Sequence, residues 1–448
     1  MASRAVVVGL GVSGAAVARA LNERGYRVSV VDDTPSAAVR ARRAELTPLG
    51  IDVITKPDAS SLAELVHDAE LVVPSPGVPP RHPVFTIARD RGVALVGEVE
   101  LASRWAGKPI VAITGTNGKT TVTGMVTEML VASGTAAVAA GNIGVPLAEA
   151  AAGPAEMLVV EVSSFQLELT EQFHPRVAAW LNLAPDHLDW HSDLESYARA
   201  KARIWARQGG DDTAVVNADD EAVQRWASTA PGRIVSFGTG AADFHFDGTV
   251  LRAPDGTEIV KLSDLQRSLP HDVENALAAS AAALAAGADL DGVRTALREW
   301  KGFPHRVVLV GDAGGVQWYD DSKATNPHAA LAAMRGFGSV VLVAGGRNKG
   351  LDLSVLAQAA DRVRAVVAIG EAAPDVERAF AGLRPVTVAT SMDDAVRAAA
   401  GYAEPGDAVL LSPGCASFDW YQSYGERGED FARAVARLLE EDAHADNG

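Results

Sequence analysis

Ile113-Thr114-Gly115-Thr116-Asn117-Gly118-Lys119-Thr120-Thr121 decides the fold. The apolar run from Pro109 to Ile113 reads as a buried strand, and the segment after Lys119 reads as a helix. A glycine loop between the two aims backbone N–H groups and a helix N-terminus at one point, which is where phosphate binds. Lys119 can reach terminal phosphates, and the Thr120 hydroxyl can hold Mg²⁺. The usual P-loop has a glycine five residues before its second glycine; here that residue is Ile113, so the loop is a compact Gly-Thr-Asn-Gly-Lys-Thr variant.

Working outward, short apolar strands alternate with amphipathic or alanine-rich helices, and the alternation restarts three times. That pattern predicts an α/β chain of three domains, each a mostly parallel sheet covered by helices. The expected domains are 1–97, Rossmann-like; 98–302, P-loop-type; and 303–448, Rossmann-like. The first opens Gly9-Leu10-Gly11-Val12-Ser13-Gly14 after a strand, and the strand from Arg27 to Val31 ends in Asp32-Asp33. A dinucleotide fingerprint has this form, with an acid about twenty residues on to meet a ribose hydroxyl. Taken alone, the glycines fit a plain tight turn equally well. Asp243 to Lys261 reads as a short hairpin, and the acidic tail from Glu440 as frayed.

The formal net charge of −17 over 448 residues argues against nonspecific nucleic-acid binding. The single cysteine, Cys415, excludes an intrachain disulfide, fits a reducing compartment and reads as packing filler. No run of about 18 apolar residues is present to span a membrane, and the N-terminus enters a strand rather than a signal peptide. A cytoplasmic protein is therefore expected.

Several polar clusters close apolar strands, where ligands of open α/β sheets bind. Glu161 ends the Met157–Val162 strand and offers a hard oxygen for Mg²⁺. Asn182-Leu-Ala-Pro-Asp-His187 follows another strand, and His187 is expected beside Glu161 at a neighbouring strand end. In the third segment, Asp320–Asn326, Gly345–Gly350 and Ser412–Asp419 each follow a strand and should converge on one cleft. Lys201, on a helix, reads from spacing alone as a solvated lysine.

Together the Gly115–Thr121 loop, Glu161-Val-Ser-Ser-Phe-Gln and Asp321-Ser-Lys-Ala-Thr-Asn resemble the Mur ligases, ATP-dependent amide-bond synthetases of peptidoglycan precursor assembly. The resemblance covers essentially the whole chain in motif order. Gly-Leu-Gly at the start and Ser417 in Cys-Ala-Ser-Phe-Asp point to the branch that adds D-glutamate to UDP-N-acetylmuramoyl-L-alanine.

The resemblance implies ATP and two Mg²⁺ ions. Gly115, Thr116, Asn117, Gly118, Lys119, Thr120 and Thr121 would hold the phosphates, with Thr120 on the first ion and Glu161 and His187 on the second. Lys201 matches a lysine carbamylated by CO₂. Asn275, Arg306, Asp321 and Lys323 match nucleotide-side residues. Val12, Ser13, Asp32, Thr34 and Gly77 match the uridine-diphosphate site, and Asn142 and Gln166 the muramoyl-alanine site. Thr325, Lys349, Ser417 and Phe418 match the glutamate pocket. Lys119, His187, Lys201 and Lys323 are the expected catalytic set, in a monomer whose domains close on substrate.

Two departures stand out. His271-Asp272 replaces the family's His-Asn, and no arginine follows Thr34. Three rival readings remain open at this level: a related ligase with another amino acid or a glutamate chain, an NAD-dependent oxidoreductase built on Gly9–Gly14, and a regulatory P-loop NTPase.

Overall fold

The computed structural model describes residues 3–187 and 190–445. Its strands form three sheets. The first is fully parallel, in the order β3-β2-β1-β4-β5, with β1 Arg4–Val8, β2 Arg27–Asp32, β3 Asp52–Thr55, β4 Leu71–Pro74 and β5 Ala94–Leu95. Valine dominates the central strands because both faces are covered by helices, and β-branched side chains fit a doubly buried pleat. The strand order reverses between β1 and β4, which opens a crevice at their carboxyl ends.

The second sheet contains β6 Ile110–Thr114, β7 Ala137–Gly141, β8 Met157–Glu161, β9 Val177–Trp180, β10 Thr213–Asn217 and β11 Arg233–Gly238. Three short strands, β12 Phe244–Phe246, β13 Val250–Arg252 and β14 Glu258–Lys261, extend it. The order is β14-β13-β12-β11-β10-β9-β6-β8-β7. β6 is the switch strand here, so the glycine loop that follows it leaves from the crevice of its own sheet. The expected hairpin at 243–261 is instead this three-stranded extension: β12 joins β11 in parallel, and β13 and β14 add antiparallel.

The third sheet runs β15-β16-β20-β17-β18-β19, with β15 Val308–Ala313, β16 Val316–Asp320, β17 Val340–Gly345, β18 Val363–Ile369, β19 Val386–Val388 and β20 Ala408–Leu411. Only β15, on the edge, is antiparallel. The C-terminal helix spans Tyr424–Ala445. Its apolar side is anchored by Phe431, Ala434 and Val435 against Trp318 and Val409 of the sheet.

The chain forms two compact units. One comprises Met1–Leu183, Glu195–Lys261 and Asn275–Arg298, and so holds the first two sheets; the other comprises Ala184–Leu194, Leu262–Glu274 and Glu299–Gly448. Within the first unit one apolar core runs through both sheets, from Val7 and Leu21 through Val99 and Leu147 to Val160 and Trp180.

That core contains one conspicuous acid. Glu98 opens the helix Glu98–Ala106, is 2% exposed, and accepts a hydrogen bond from Ala148 N (3.1 Å) at the start of the helix Leu147–Ala152. Its second oxygen, Oε2, has no partner among the described residues. Burial pushes the carboxyl up to about 7 from its ordinary 4.5. The folded protein therefore holds a proton that the unfolded chain releases, and stability falls as pH rises from about 4.5 to about 7. Glu98→Gln is expected to flatten that slope, with a gain at pH 8 on the order of 3 kcal/mol at most and none at pH 4.5. Thermal melts of both proteins at the two pH values check this; parallel slopes would reject it.

Candidate active site

Gly9, at φ +89°, and Gly14 work as the fingerprint requires. A Cβ on Gly14 would lie 2.0 Å from Gly9 O, so only glycine lets the helix Val12–Glu23 sit this close to β1. That helix begins after Gly11 with no side-chain cap, which leaves its first N–H groups facing the crevice. Asp32 also stabilises the turn: its oxygens accept from Leu10 N at 2.7 Å and Thr34 N at 2.8 Å.

A cavity of about 480 Å³ fills the crevice. Val12, Ser13, Asp32, Thr34 and Gly77 all line it, and so do Asn142 and Gln166 from the second sheet. Residues expected at two ends of one nucleotide sugar thus share one cavity. Gln166 sits in a capping box with Ser163, its Oε1 accepting from Ser163 N at 3.0 Å. Its buried Nε2 has no partner among the described residues, a donor available to an acceptor in the cavity. The sequence reading missed Asp33 and His82, which also line it. His82 Nδ1 accepts from Val84 N and Nε2 lies 3.1 Å from Asp33 Oδ2, tying the loop after β2 to the start of the helix Pro83–Arg91. The signal for His82 was the following Pro83, which marks a helix start.

The phosphate loop lies at the carboxyl end of β6. Gly118 has φ +81° and caps the helix Lys119–Ala132 with backbone alone. A Cβ there would meet Asn275 Oδ1 at 2.5 Å, which places Asn275 directly against the loop. Asn182, unassigned from sequence, fixes the loop: its Oδ1 accepts from Thr116 N at 3.0 Å and Asn117 N at 2.8 Å. Lys119 Nζ bridges the carbonyl oxygens of Gly115 and Thr116, each at 2.9 Å. Lys201 is not solvated as spacing alone suggested. It is 1% exposed, donates to Gly115 O at 2.7 Å, and lies 4.5 Å from the centroid of the Tyr197 ring.

Glu161 ends β8 and is 2% exposed. Thr120 Oγ1 donates to its Oε2 at 2.9 Å and Asn142 Nδ2 to its Oε1 at 2.7 Å. One carboxylate thus joins the phosphate loop to the cavity. Thr120 and Glu161 offer two hard oxygens, chemistry that fits Mg²⁺, an ion commonly held by one or two protein groups with phosphates and water completing its shell. Among the described residues no three His, Cys, Asp or Glu side chains gather as a metal-binding set.

One expectation is corrected. The strands leading to Glu161 and His187, β8 and β9, are not neighbours; β6 pairs with both and separates them. His187 itself belongs to Ala184–Leu194, which is part of the second unit. It adopts φ +54°, a conformation rare for a residue with a Cβ and concentrated at functional sites.

In the second unit the three expected loops do leave adjacent strands, β16, β20 and β17. Gly414 N donates to Ala324 O (2.9 Å), and Arg347 and Ala416 exchange backbone hydrogen bonds (2.8 and 3.0 Å), so the loops are knit together. Asp321 is buried, which pushes its carboxyl up to about 7, while Ser412 Oγ at 2.6 Å and the charge of Arg306 pull the other way. Lys323 Nζ lies 3.8 Å from the centroid of the Tyr424 ring. Ser417 is buried, Thr325 and Lys349 are half-buried, and Phe418 is 61% exposed at the loop surface. Cys415 is buried among apolar side chains, its thiol pushed up to about 12, as packing filler should be.

Comparison with known proteins agrees with this architecture. Residues 3–97 match the Mur ligase MurD-like N-terminal domain, 113–283 the Mur ligase middle domain and 305–415 the Mur ligase glutamate ligase domain. The chain belongs to the Mur ligase family. It is 47% identical over 444 residues to the UDP-N-acetylmuramoylalanine--D-glutamate ligase of Frankia casuarinae, covering 96% of this chain and 93% of that one. The enzyme of the same name from Thermobifida fusca is 42% identical over 466 residues, covering 97% and 98%. Among solved structures, the UDP-N-acetylmuramate-alanine ligase MurC of Thermotoga maritima shares the fold, with TM-score 0.60 and 20% identity over 99% of this chain and 100% of that one. MurF from Acinetobacter baumannii does so with TM-score 0.62 and 19% identity over 98% and 93%.

Proposed function

We propose that this protein joins D-glutamate to UDP-N-acetylmuramoyl-L-alanine, using ATP, in cytoplasmic peptidoglycan precursor synthesis. The observation that carries the reading is the single cavity lined by Val12, Ser13, Asp32, Thr34 and Gly77 together with Asn142 and Gln166, with Asn142 bonded to the same carboxylate as Thr120 of the phosphate loop. A nucleotide sugar in that cavity would direct its acyl end towards the phosphate loop. Domain 1–97 takes the UDP-sugar, 98–302 takes ATP and 303–448 takes the amino acid.

The chemistry follows in two balanced steps. A carboxylate oxygen of the alanyl group attacks the γ-phosphorus of ATP, the bond to the bridging oxygen breaks, and an acyl phosphate and ADP form. The neutral amine of glutamate then attacks the acyl carbon, phosphate leaves, and the ammonium proton passes to His187 or Asp186. Such transfers need alignment and charge neutralisation more than covalent help. Lys119 and Lys323 supply positive charge, while Asn275, Arg306 and Asp321 serve the nucleotide. Thr120 and Glu161 would hold Mg²⁺, which when bound neutralises phosphate charge. Thr325, Lys349, Ser417 and Phe418 form the glutamate pocket.

The test is phosphate release with ATP, UDP-N-acetylmuramoyl-L-alanine and a panel of D- and L-amino acids. Release that needs both the nucleotide sugar and D-glutamate is expected; equal or better use of L-glutamate would overturn the stereochemistry and leave the ligase chemistry standing.

Lys201 is assigned a carbamate, formed with CO₂, that helps organise the second metal site. Its buried Nζ beside Gly115 O is the supporting observation. The modification turns a cation into an anion, which suits Mg²⁺. Lys201→Ala is expected to lose activity by up to about 10²-fold and to regain part of it with acetate. A structure with ATP and substrate showing an unmodified Lys201 would reject the assignment.

A further inference from the structure

Asn326 uses both ends of one buried amide. Its Oδ1 accepts from Ala329 N at 2.8 Å and caps the helix Pro327–Met334. Its Nδ2 donates to Asp186 Oδ2 at 3.1 Å, across 140 positions of sequence. Asp186 Oδ1 in turn accepts from His187 N at 2.9 Å, and His187 O accepts from Trp190 N and His191 N, both at 3.0 Å. Asp186 is 5% exposed, and among the described residues the other ionisable groups facing it are the imidazoles of His187, at 3.7 Å, and His328.

We infer that Asn326 is a positioning residue: through Asp186 it locks the turn that carries His187 onto the loop that carries Lys323 and Thr325. The inference rests on the ligase reading above, in which those residues act. A carboxylate buried beside a backbone N–H and one amide donor has few ways to shift, so loss of that donor frees the turn while leaving its sequence intact. The left-handed backbone at His187, φ +54°, is a conformation that needs such external support.

Asn326→Ser separates this role from helix capping. Serine keeps the oxygen that caps the Pro327–Met334 helix but cannot reach Asp186 with a donor. The variant is expected to melt within about 2 °C of wild type and to keep its KM for UDP-N-acetylmuramoyl-L-alanine, while kcat falls by about 10-fold or more, the usual loss when the partner that orients a functional group is removed. Hydrogen exchange at the His187, Trp190 and His191 amides should quicken about 10-fold, with the amides of the Pro327–Met334 helix unchanged. Wild-type kcat and exchange in Asn326→Ser would overturn the inference, as would a loss of kcat accompanied by melting of the helix. A wild-type protein without glutamate-dependent phosphate release would instead overturn the ligase reading.

Discussion

Lys119→Ala is expected to lower kcat by about 10²–10³ while leaving the fold standing. The ammonium lies over the phosphate loop, bonded to Gly115 O and Thr116 O, and not in a core. The loop keeps its shape by other means: Asn182 holds two of its N–H groups, and Gly118 supplies the left-handed turn that starts the helix. Removing Lys119 would therefore take a cation from the place where the proposed reaction moves phosphate charge, without dismantling the cradle. Circular dichroism should be unchanged, and the melting temperature should fall by no more than a few degrees, since the bonds lost are hydrogen bonds of a partly buried side chain to the loop's own carbonyls. Turnover near wild type would sink the assignment of this loop to ATP. Lys119→Arg is the sharper companion: charge is kept, but the planar guanidinium does not fit a point-charge seat, so little activity should return.

What a sequence reveals of a fold depends on what kind of contact is at stake. The strands β1, β6, β8, β17 and β20 were legible because parallel strands buried on both faces read as unbroken valine and isoleucine runs. The glycine loops were legible because backbone chemistry at a helix start is local. β11 and β15 were missed: β15 lies on the edge of its sheet, β11 is flanked on one side only by the short β12, and the residues of both are half exposed with no clean alternation. Strand order was not legible at all: β8 and β9 are close in sequence, yet β6 separates them, because adjacency in a sheet is set by crossover connections that leave no trace in the strands themselves.

The same division runs through the candidate site. Lys119, Glu161 and Gln166 could be placed because each ends a strand or begins a helix in a recognisable motif. Lys201 misled as an isolated helical lysine, since burial depends on which helix face meets the Gly115 carbonyl. His82 carried no site reading and Asn326 only that of the whole Asp320–Asn326 cluster, although each precedes a proline and so announces a helix cap. Capping is read along the chain; the second bond each side chain makes, to Asp33 or to Asp186, exists only once distant segments meet.

Lys349→Ala is expected to raise the KM for glutamate by at least about 30-fold and to leave the KM for ATP nearly unchanged. The loop Gly345–Gly350 carries two cations, but they are not equivalent. Arg347 is committed to Glu371 through two hydrogen bonds of 2.9 and 3.1 Å. Lys349 makes no ion pair among the described residues, and its turn is closed by Asn348, whose side chain bonds both ways with Leu351 at 2.9 Å. The backbone exchange between Arg347 and Ala416 brings that turn beside Ser417. In the proposed pocket a dicarboxylate amino acid would meet this one point charge together with the hydroxyls of Thr325 and Ser417, and charge-assisted hydrogen bonds of this kind are the strong ones. Truncating the cation leaves a carboxylate without its partner, a loss of roughly 2–5 kcal/mol. Because Lys349 is remote in function from the phosphate loop, the loss should fall on glutamate alone. Steady-state kinetics with each substrate varied in turn decides it: a parallel rise in the KM for ATP, or no rise for glutamate, would remove Lys349 from the amino-acid pocket.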